Sequence, residues 1–265
     1  MSQSVGADAD PSARGAMVKS AVRTLEILEC LGTSPERRSV ATLSRELSIP
    51  KSSLHGILRT MTASGWLETD ATGTLYGLGL RALLTGAAYV ETDDIVSLTQ
   101  RTLDSLSDLI GETVHLGRLD GPNVIYLAKR ESVHALRLYS AVGRRLPAHA
   151  TALGKSLLAQ LPAGEVDRRL TWPLKSLTPQ TIVEPAALHH ELELIRQQGY
   201  ALDHGENAEG IRCMAVALRP TASSYNAISC SVPEGRMSDA RQTDITAALR
   251  DAVTMVNTLI GRSRA

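Results

Sequence analysis

The sequence predicts a two-domain α+β fold, with a winged helix-turn-helix at the N-terminal end and a larger α/β domain after it. Three observations lead to this prediction. The length of 265 residues exceeds what a single hydrophobic core usually serves. Apolar residues recur at helical spacing in three segments before Gly65, and a hairpin pattern follows them. Beyond Gly111 the pattern changes to alternating strands separated by turn residues.

The bulk composition is that of a globular protein, with 43% hydrophobic residues, 21% charged residues and a formal net charge of zero. No stretch approaches the roughly 20 apolar residues of a membrane span, so no membrane partner is expected. Residues 1–16 are small, polar and acidic and lack the features of a signal peptide, which predicts a disordered tail. The three cysteines fit no disulfide or metal pattern, and this is typical of the cytoplasm.

Two amphipathic helices are predicted before a sharp turn at residues 48–50. The first spans Val18–Leu31, where apolar side chains recur every three or four positions until Gly32 ends the pattern. Ser39 can cap the second helix. The apolar positions of that second helix, which face the same core, are Val40, Leu43 and Leu47.

A third helix is predicted from Pro50, at its first helical position, to about Gly65. One face is apolar, and the other carries short or basic side chains that can reach phosphates or base edges in a DNA major groove. The candidate DNA-binding residues are Lys51, Ser52, Ser53, His55 and Arg59, together with Arg38 from the preceding segment. Basic residues outnumber acidic ones only seven to four between Met17 and Gly65, which favours several copies acting together on operator DNA.

A β-hairpin is predicted directly after the third helix. Trp66–Thr69 alternates like a strand, Asp70–Thr74 contains turn residues around Gly73, and Leu75–Leu78 can return as the partner strand. Three helices followed by a hairpin is the order of a winged helix-turn-helix, and the order is more specific than any one part.

Two helices are predicted to join the halves of the chain, over Leu80–Val90 and Ile95–Ile110. A wide apolar surface at a domain boundary indicates either a dimer contact or a cover for the next core, and the sequence leaves both open. We therefore expect a DNA-binding domain over residues 17–79, a linker helix over residues 80–94 and a second domain over residues 95–265.

The second domain is predicted to be an α/β core. Its strands are expected at Thr113–Leu119, Val124–Ala128, Leu136–Ser140, Ile211–Leu218 and Ala227–Val232. Its helices are expected at Ala152–Leu161, Ala186–Gln198 and Ser238–Ile260.

Several spaced segments carry a family resemblance. Residues 143–155 read GRRLPAHATALGK, residues 199–215 read GYALDHGENAEGIRCMA, residues 227–233 read AISCSVP, and residues 76–79 read YGLG. In this order they resemble the signatures of the IclR family of bacterial transcription regulators, and the resemblance spans Val18 to about Ile260. It implies a GAF-like effector-binding domain, a homodimer or homotetramer, no catalysis and no cofactor. Residues 136–149 are similar to the branch that senses sugar acids such as 2-keto-3-deoxygluconate.

The resemblance also implies an effector pocket floored by the sheet. By position, its lining would comprise Leu146, Ala152, Leu153, Asp203, Cys213, Ser229 and Ser231, and His149 lies near it in sequence. Ser229 and Ser231 alternate on one predicted strand, so both hydroxyls face one side and could hold a carboxylate, an anion that the start of the Ala152 helix would also favour. A small keto-, hydroxy-, sugar or aromatic acid fits this chemistry. Purely structural roles remain open, such as Asp203 in a turn and Cys213 as a buried apolar residue.

The chain departs from the family in the third helix, where Gly56 stands at a position that is commonly arginine. Glycine there destabilises a helix by roughly 1 kcal/mol relative to alanine, so it reflects either a close approach to DNA or a different base preference. The wing tip, residues 70–74, has no lysine or arginine.

Two other functions remain open from the residues alone. Cys213 could be a nucleophile with His149 as its base and Asp203 orienting that base. Zinc could bind some of the same three residues, although their spacing matches no metal motif. Neither alternative accounts for a winged helix. The sequence predicts a cytoplasmic repressor of a catabolic operon, controlled by a small carboxylic acid, with no catalytic residue and no metal.

Overall fold

The structure is a computed structural model that describes residues 17–33, 35–137, 140–221 and 224–262. The tail predicted over residues 1–16 lies outside the described residues. The chain divides into two units, Met1–Tyr89 and Val90–Ala265, and hydrophobic cores occur within each. Within the described part of the chain, no helix is both long enough and apolar enough to cross a membrane.

The described part of the first unit contains three complete helices, a three-stranded antiparallel sheet and the start of a fourth helix, which begins at Leu80 and continues past Tyr89. The helices are α1 (Lys19–Gly32), α2 (Val40–Glu46) and α3 (Lys51–Ala63), and the strands are β1 (Arg38–Ser39), β2 (Leu67–Thr69) and β3 (Leu75–Leu78). The strand order is β1-β3-β2. This is the predicted winged helix-turn-helix with one added strand, β1, which at two residues is too short to carry a periodic signal. The buried core residues are Ile27, Leu31, Leu43, Ile49, Leu54, Leu58, Met61 and Leu67.

Local side-chain chemistry sets the sharp turn between α2 and α3. The predicted cap is present, because the Ser39 hydroxyl accepts the backbone N–H of Thr42 at 3.2 Å. Ser48 adopts a positive φ of 52°, and the Ser44 hydroxyl donates to the carbonyl of Ile49 at 2.7 Å. Pro50 occupies the N-cap of α3 rather than the predicted first helical position.

The second unit is built on a six-stranded sheet with the order β6-β5-β4-β9-β8-β7, in which every neighbouring pair is antiparallel. Its strands are β4 (Thr113–Asp120), β5 (Asn123–Arg130), β6 (Arg145–Pro147), β7 (Ala201–His204), β8 (Ile211–Ala217) and β9 (Asn226–Pro233). Helix α4 (Leu80–Thr92) precedes it, and the helices of the unit are α5 (Asp94–Ile110), α6 (Ala152–Leu158), α7 (Ala163–Arg169), α8 (Pro185–Gln198) and α9 (Asp239–Arg262).

Helices cover both faces of this sheet. On one face α5 and α9 bury Leu103 and Val256 against Val114 and Ile228 of the strands. On the other face α6 and α8 belong to a second cluster, which includes Leu153 and Leu188 together with Ala201, Ala215 and Ala227 of the strands. The small alanines let α6 lie close to the sheet, and this is the side where the predicted pocket residues meet.

Two predicted features of the second unit are wrong. Leu136, Arg137 and Ser140 lie in no strand, residues 138–139 are outside the described part, and β6 pairs with β5 instead. The alternation around Leu136 imitates a strand, but that side chain is 73% exposed and packs in no core. The helix expected to reach Leu161 ends at Leu158, and α7 follows it. A further strand that the sequence did not predict, β7, contains Asp203, and the side chain of Asp203 accepts the N–H of Glu206 in the turn that follows the strand.

Candidate nucleic-acid interface and small-molecule pocket

The polar face of α3 borders an open groove of about 750 Å³ in the first unit. Lys51, Ser52, His55 and Arg59 are exposed, and Ser53 is half-buried. The groove is lined on the α3 side by Ser52, His55, Gly56, Arg59, Thr62 and Ala63, and on the sheet side by Thr69 and Tyr76. The predicted DNA-reading face is therefore on the surface, with the core-facing residues of α3 on its opposite side.

The structure separates Arg38 from the other five candidates. Its guanidinium donates to the carbonyl oxygen of Cys30 at 2.8 Å and pairs with Glu46 at 2.9 Å, and its side chain is only 18% exposed. Arg38 therefore ties α1 to α2. The preceding residue, Arg37, reaches the surface more freely and lies 3.8 Å from Glu68 of the hairpin. Two adjacent arginines carry no sequence signal that distinguishes these roles.

The second site is a small cavity of about 20 Å³ against the sheet of the second unit, with room for about one water molecule. Six of the eight predicted effector residues line it: Ala152, Leu153, Asp203, Cys213, Ser229 and Ser231. The sequence does not predict the remaining lining residues, which are Tyr126, Thr151, Asn207, Ala208 and Ile211.

Leu146 and His149 are not among the residues that line this cavity. Leu146 is buried in the hydrophobic cluster beneath α6. The Nε2 atom of His149 donates a hydrogen bond to the carbonyl oxygen of Lys175 at 3.0 Å, and burial lowers the pKa of the ring. His149 therefore stays neutral near pH 7 and holds the segment around Lys175 in place.

Strand register explains why the polar side chains of the pocket converge. Asp203 lies opposite Cys213, Cys213 lies opposite Ser231, and Ser231 lies opposite Thr113. Directly opposed residues project from the same face of a sheet, so this row crosses β7, β8, β9 and β4 on the side covered by α6. The Cys213 thiol donates to the Ser231 hydroxyl at 3.3 Å.

His115 belongs to the same polar face, although the sequence does not single it out. It lies opposite Ser229, stacks on Tyr126 with ring centroids 4.2 Å apart, and has its Nε2 atom 2.8 Å from the hydroxyl of Ser140. Burial lowers the pKa of His115 to about 3. Its buried Nδ1 atom has no hydrogen-bond partner among the described residues. Leaving such an atom without a partner lowers the free energy of unfolding by about 1–3 kcal/mol. His115 can therefore form one more hydrogen bond, beside a residue of the cavity wall.

Asp203 belongs to a buried cluster of charged groups. Its carboxylate accepts the backbone N–H of Glu206 at 2.7 Å, and the residue is 3% exposed. Burial, and then the neighbouring Glu206 carboxylate, raise the pKa of Asp203 to about 7. Lys155 on α6 is 1% exposed, and its Nζ donates to Glu206 at 2.6 Å and to Glu191 at 2.9 Å. The cluster therefore connects the edge of the pocket to α6 and α8.

The arrangement does not favour covalent or metal chemistry. Burial and the Asp203 carboxylate raise the pKa of Cys213 well above its usual value, whereas a nucleophilic cysteine requires a lowered pKa. The proposed base, His149, is committed to a backbone carbonyl away from the cavity lining. Among the described residues, no group of three or more His, Cys, Asp or Glu side chains is placed to hold a metal ion.

Comparisons with known proteins match both parts of the chain to domains of one family. Residues 20–71 match the IclR helix-turn-helix domain, and residues 87–258 match the C-terminal domain of the bacterial transcriptional regulator IclR. The chain is similar to the HTH-type transcriptional regulator XynR of Escherichia coli, at 34% identity over 92% of this chain and 98% of that protein. It is also similar to the HTH-type transcriptional regulator KdgR of Escherichia coli, at 33% identity over 96% of this chain and 97% of that protein.

A similar fold is found among solved structures. An IclR transcriptional regulator from Silicibacter sp. TM1040 matches with a TM-score of 0.80 and 27% identity, covering 91% of this chain and 96% of that chain. The two curated relatives, XynR and KdgR, are transcription regulators.

Proposed function

Because the chain belongs to the IclR family of DNA-binding transcription regulators, we propose that it represses a catabolic operon under the control of a small carboxylic acid. The observation that carries the proposal is the exposed polar face of α3 beside the hairpin, in a unit separate from the cavity. A regulator with these parts works in the cytoplasm, where both the operator and the metabolite are found.

The DNA contact uses α3 as the helix that enters the major groove. That groove is about 12 Å wide and an α-helix with its side chains is about 10–12 Å across, so the fit is close. Lys51 and Arg59 are exposed at different turns of α3 and supply cations for phosphates. Ser52, Ser53 and His55 lie on the turns between them and supply hydrogen-bonding groups for base edges.

The effector is a small keto- or hydroxy-acid. The hydroxyls of Ser229 and Ser231 are both in the cavity wall and can donate to a carboxylate. Asp203, at the other end of the polar row, accepts a hydroxyl or hydrate group of the same molecule. Leu153 and Ala152 supply apolar wall.

The cavity must enlarge when such an acid binds, because about 20 Å³ holds little more than one water. Asn207 and Ala208 form part of the wall, and they lie in the β7–β8 connection between two glycines with positive φ, Gly205 at 81° and Gly210 at 75°. Movement of this connection would open the cavity without disturbing the strand register.

Two copies of the chain bind the operator together. Leu80, Leu83 and Leu84 of α4 are each more than 60% exposed, and α4 has no buried residue. A second copy would cover these three leucines, which lie on one side of the helix. Pairing also doubles the modest surplus of basic residues that a single first unit brings to phosphates.

Footprinting of the DNA upstream of the protein's own gene and of neighbouring catabolic genes tests the proposal. We expect a protected site that changes when candidate acids are added. The double variant Ser53→Ala with Arg59→Ala should lose the footprint and keep the thermal shift that the acid produces. Arg168→Ala removes an exposed arginine from α7 of the other unit and serves as the charge-matched control. Protection that survives the double variant would exclude α3, and no protection anywhere would contradict the regulatory function.

A further inference from the structure

Gly56 is an interior helical residue for which the fold itself gives no reason. It is the sixth of the thirteen residues of α3 and is exposed, and a Cβ built on it would meet nothing within 4 Å. It is not one of the glycines with positive φ. Glycine inside a helix is destabilising because its backbone loses more conformational freedom on folding than that of any other residue. An alanine would fit here and make α3 more stable.

At two other positions of the chain, the fold itself requires glycine. A Cβ on Gly79 would lie 2.5 Å from the carbonyl oxygen of Gly65, and one on Gly154 would lie 2.1 Å from that of Ala148. These two positions exclude a side chain because the backbone of the same chain is already there. The space beside Gly56 is open instead, so any requirement for glycine must come from something outside the chain.

Gly56 also occupies the part of α3 that is farthest from the core. It is two residues away from both Leu54 and Leu58, which are fully buried, and two residues turn a helix by about 200°. Its α-carbon therefore lies on the crest of the exposed face. Open grooves flank it on both sides, one beside the three-stranded sheet of the first unit and one beside α1, and Gly56 lines both.

We propose that Gly56 is the point at which the backbone of α3 touches double-stranded DNA, with no side chain between the two. This inference rests on the proposed DNA-binding function and adds how deeply α3 enters the groove. At the crest a Cβ would hold the helix axis away from the groove floor. The flanking side chains of Ser52 and His55 would then no longer reach base edges, whereas the longer side chain of Arg59 would still reach a phosphate. Gly56 is thus a positioning residue that contributes no charge and no hydrogen-bonding side chain.

Gly56→Ala tests the proposal. The probe is the duplex that the wild-type protein enriches from a random-sequence pool, and binding is measured over a series of salt concentrations. We expect the variant to bind this duplex at least tenfold more weakly than wild type while its first unit unfolds at a higher temperature. Gly261→Ala, another exposed helical glycine with open space around it, is the matched control in α9 and should leave affinity unchanged.

The salt dependence separates close contact from a lost charge. Gly56→Ala should keep the wild-type slope of log affinity against log salt, because no cation is removed, whereas Arg59→Ala should reduce the slope by about one. Wild-type affinity in Gly56→Ala would overturn the inference. A lower unfolding temperature would overturn it as well, since the fold would then be what requires glycine. If the wild-type protein enriches no duplex, the proposed function fails along with it.

Discussion

Asp203→Asn probes the free-energy cost of burying a carboxylate at the pocket. In the fold the Asp203 carboxyl keeps its proton up to a pH of about 7, because its pKa is raised by burial and by Glu206, whereas the ordinary value is 3.8. The stability that this group contributes is complete below pH 3.8 and is lost as the pH rises through 7. The full difference corresponds to roughly 4 kcal/mol, at 1.36 kcal/mol for each tenfold change in proton affinity. Asparagine has the same shape, and its Oδ1 can still accept the N–H of Glu206.

The measurement is the free energy of unfolding of the second unit as a function of pH. The chain has two tryptophans, so in a Trp66→Phe background Trp172 alone reports on this unit. We expect the asparagine variant to be more stable than its parent by roughly 4 kcal/mol at pH 8 and by less than about 2 kcal/mol at pH 5. The same substitution should weaken the thermal shift that an acid effector produces, because an amide group replaces the carboxyl group that accepts the hydroxyl of the effector.

The exposed Asp251 on α9 provides the control for this experiment, and Asp251→Asn should show no gain that depends on pH in this way. The reasoning would be refuted if Asp203→Asn destabilised the unit at pH 8. It would also be refuted if the gain had the same size at pH 5 and pH 8, since a buried carboxylate would then not be its source.

Three further predictions concern the rest of the molecule. Lys155→Met should lower the free energy of unfolding by about 3–5 kcal/mol, because it leaves Glu206 buried without its cation. Adding Glu206→Gln should recover at least half of this loss, as measured by calorimetry. If none of the loss is recovered, the broken ion pair is not its cause. Leu83→Glu should convert the proposed dimer to a monomer in sedimentation velocity, and a persistent dimer would rule out α4 as the interface. The double variant His115→Phe with Ser140→Ala keeps the stack on Tyr126 and removes the unpaired Nδ1 together with both partners of the Nε2 hydrogen bond, so the effector-free protein should unfold at an equal or higher temperature. An undiminished thermal shift with effector would show that Nδ1 does not contact the ligand.

Local chemistry made the N-terminal unit predictable from the sequence. The Ser39 cap, the turn at Pro50 and the spacing of Leu54 and Leu58 act within a few residues of each other, so each can be read directly from the chain. The roles of Arg37 and Arg38 are not predictable in this way. They are adjacent, and only the packing of α1 against α2 decides which guanidinium turns inward to Cys30 and Glu46.

The pocket was predictable in part because Ser229 and Ser231 alternate on one strand. Contacts between residues that are far apart in the sequence could not be predicted in this way. Lys155 meets Glu191 and Glu206 across 36 and 51 residues of chain, and lysine is a residue type that is rarely buried. His115 reaches the polar face only through the register of β4 against β9, which no local pattern specifies. Family resemblance supplied six of the cavity residues, whereas the neighbours that complete it depend on tertiary packing.

A cavity with room for one water molecule also has a kinetic consequence. If an acid enters only while the wall is displaced, the rate of complex formation levels off at high acid concentration at the rate of wall opening. The apparent dissociation constant is then the intrinsic one divided by the fraction of molecules that are open. Under the proposed function, substitutions at Gly205 or Gly210, which do not line the cavity, would therefore tune the metabolite concentration to which the promoter responds without altering any atom that the acid touches.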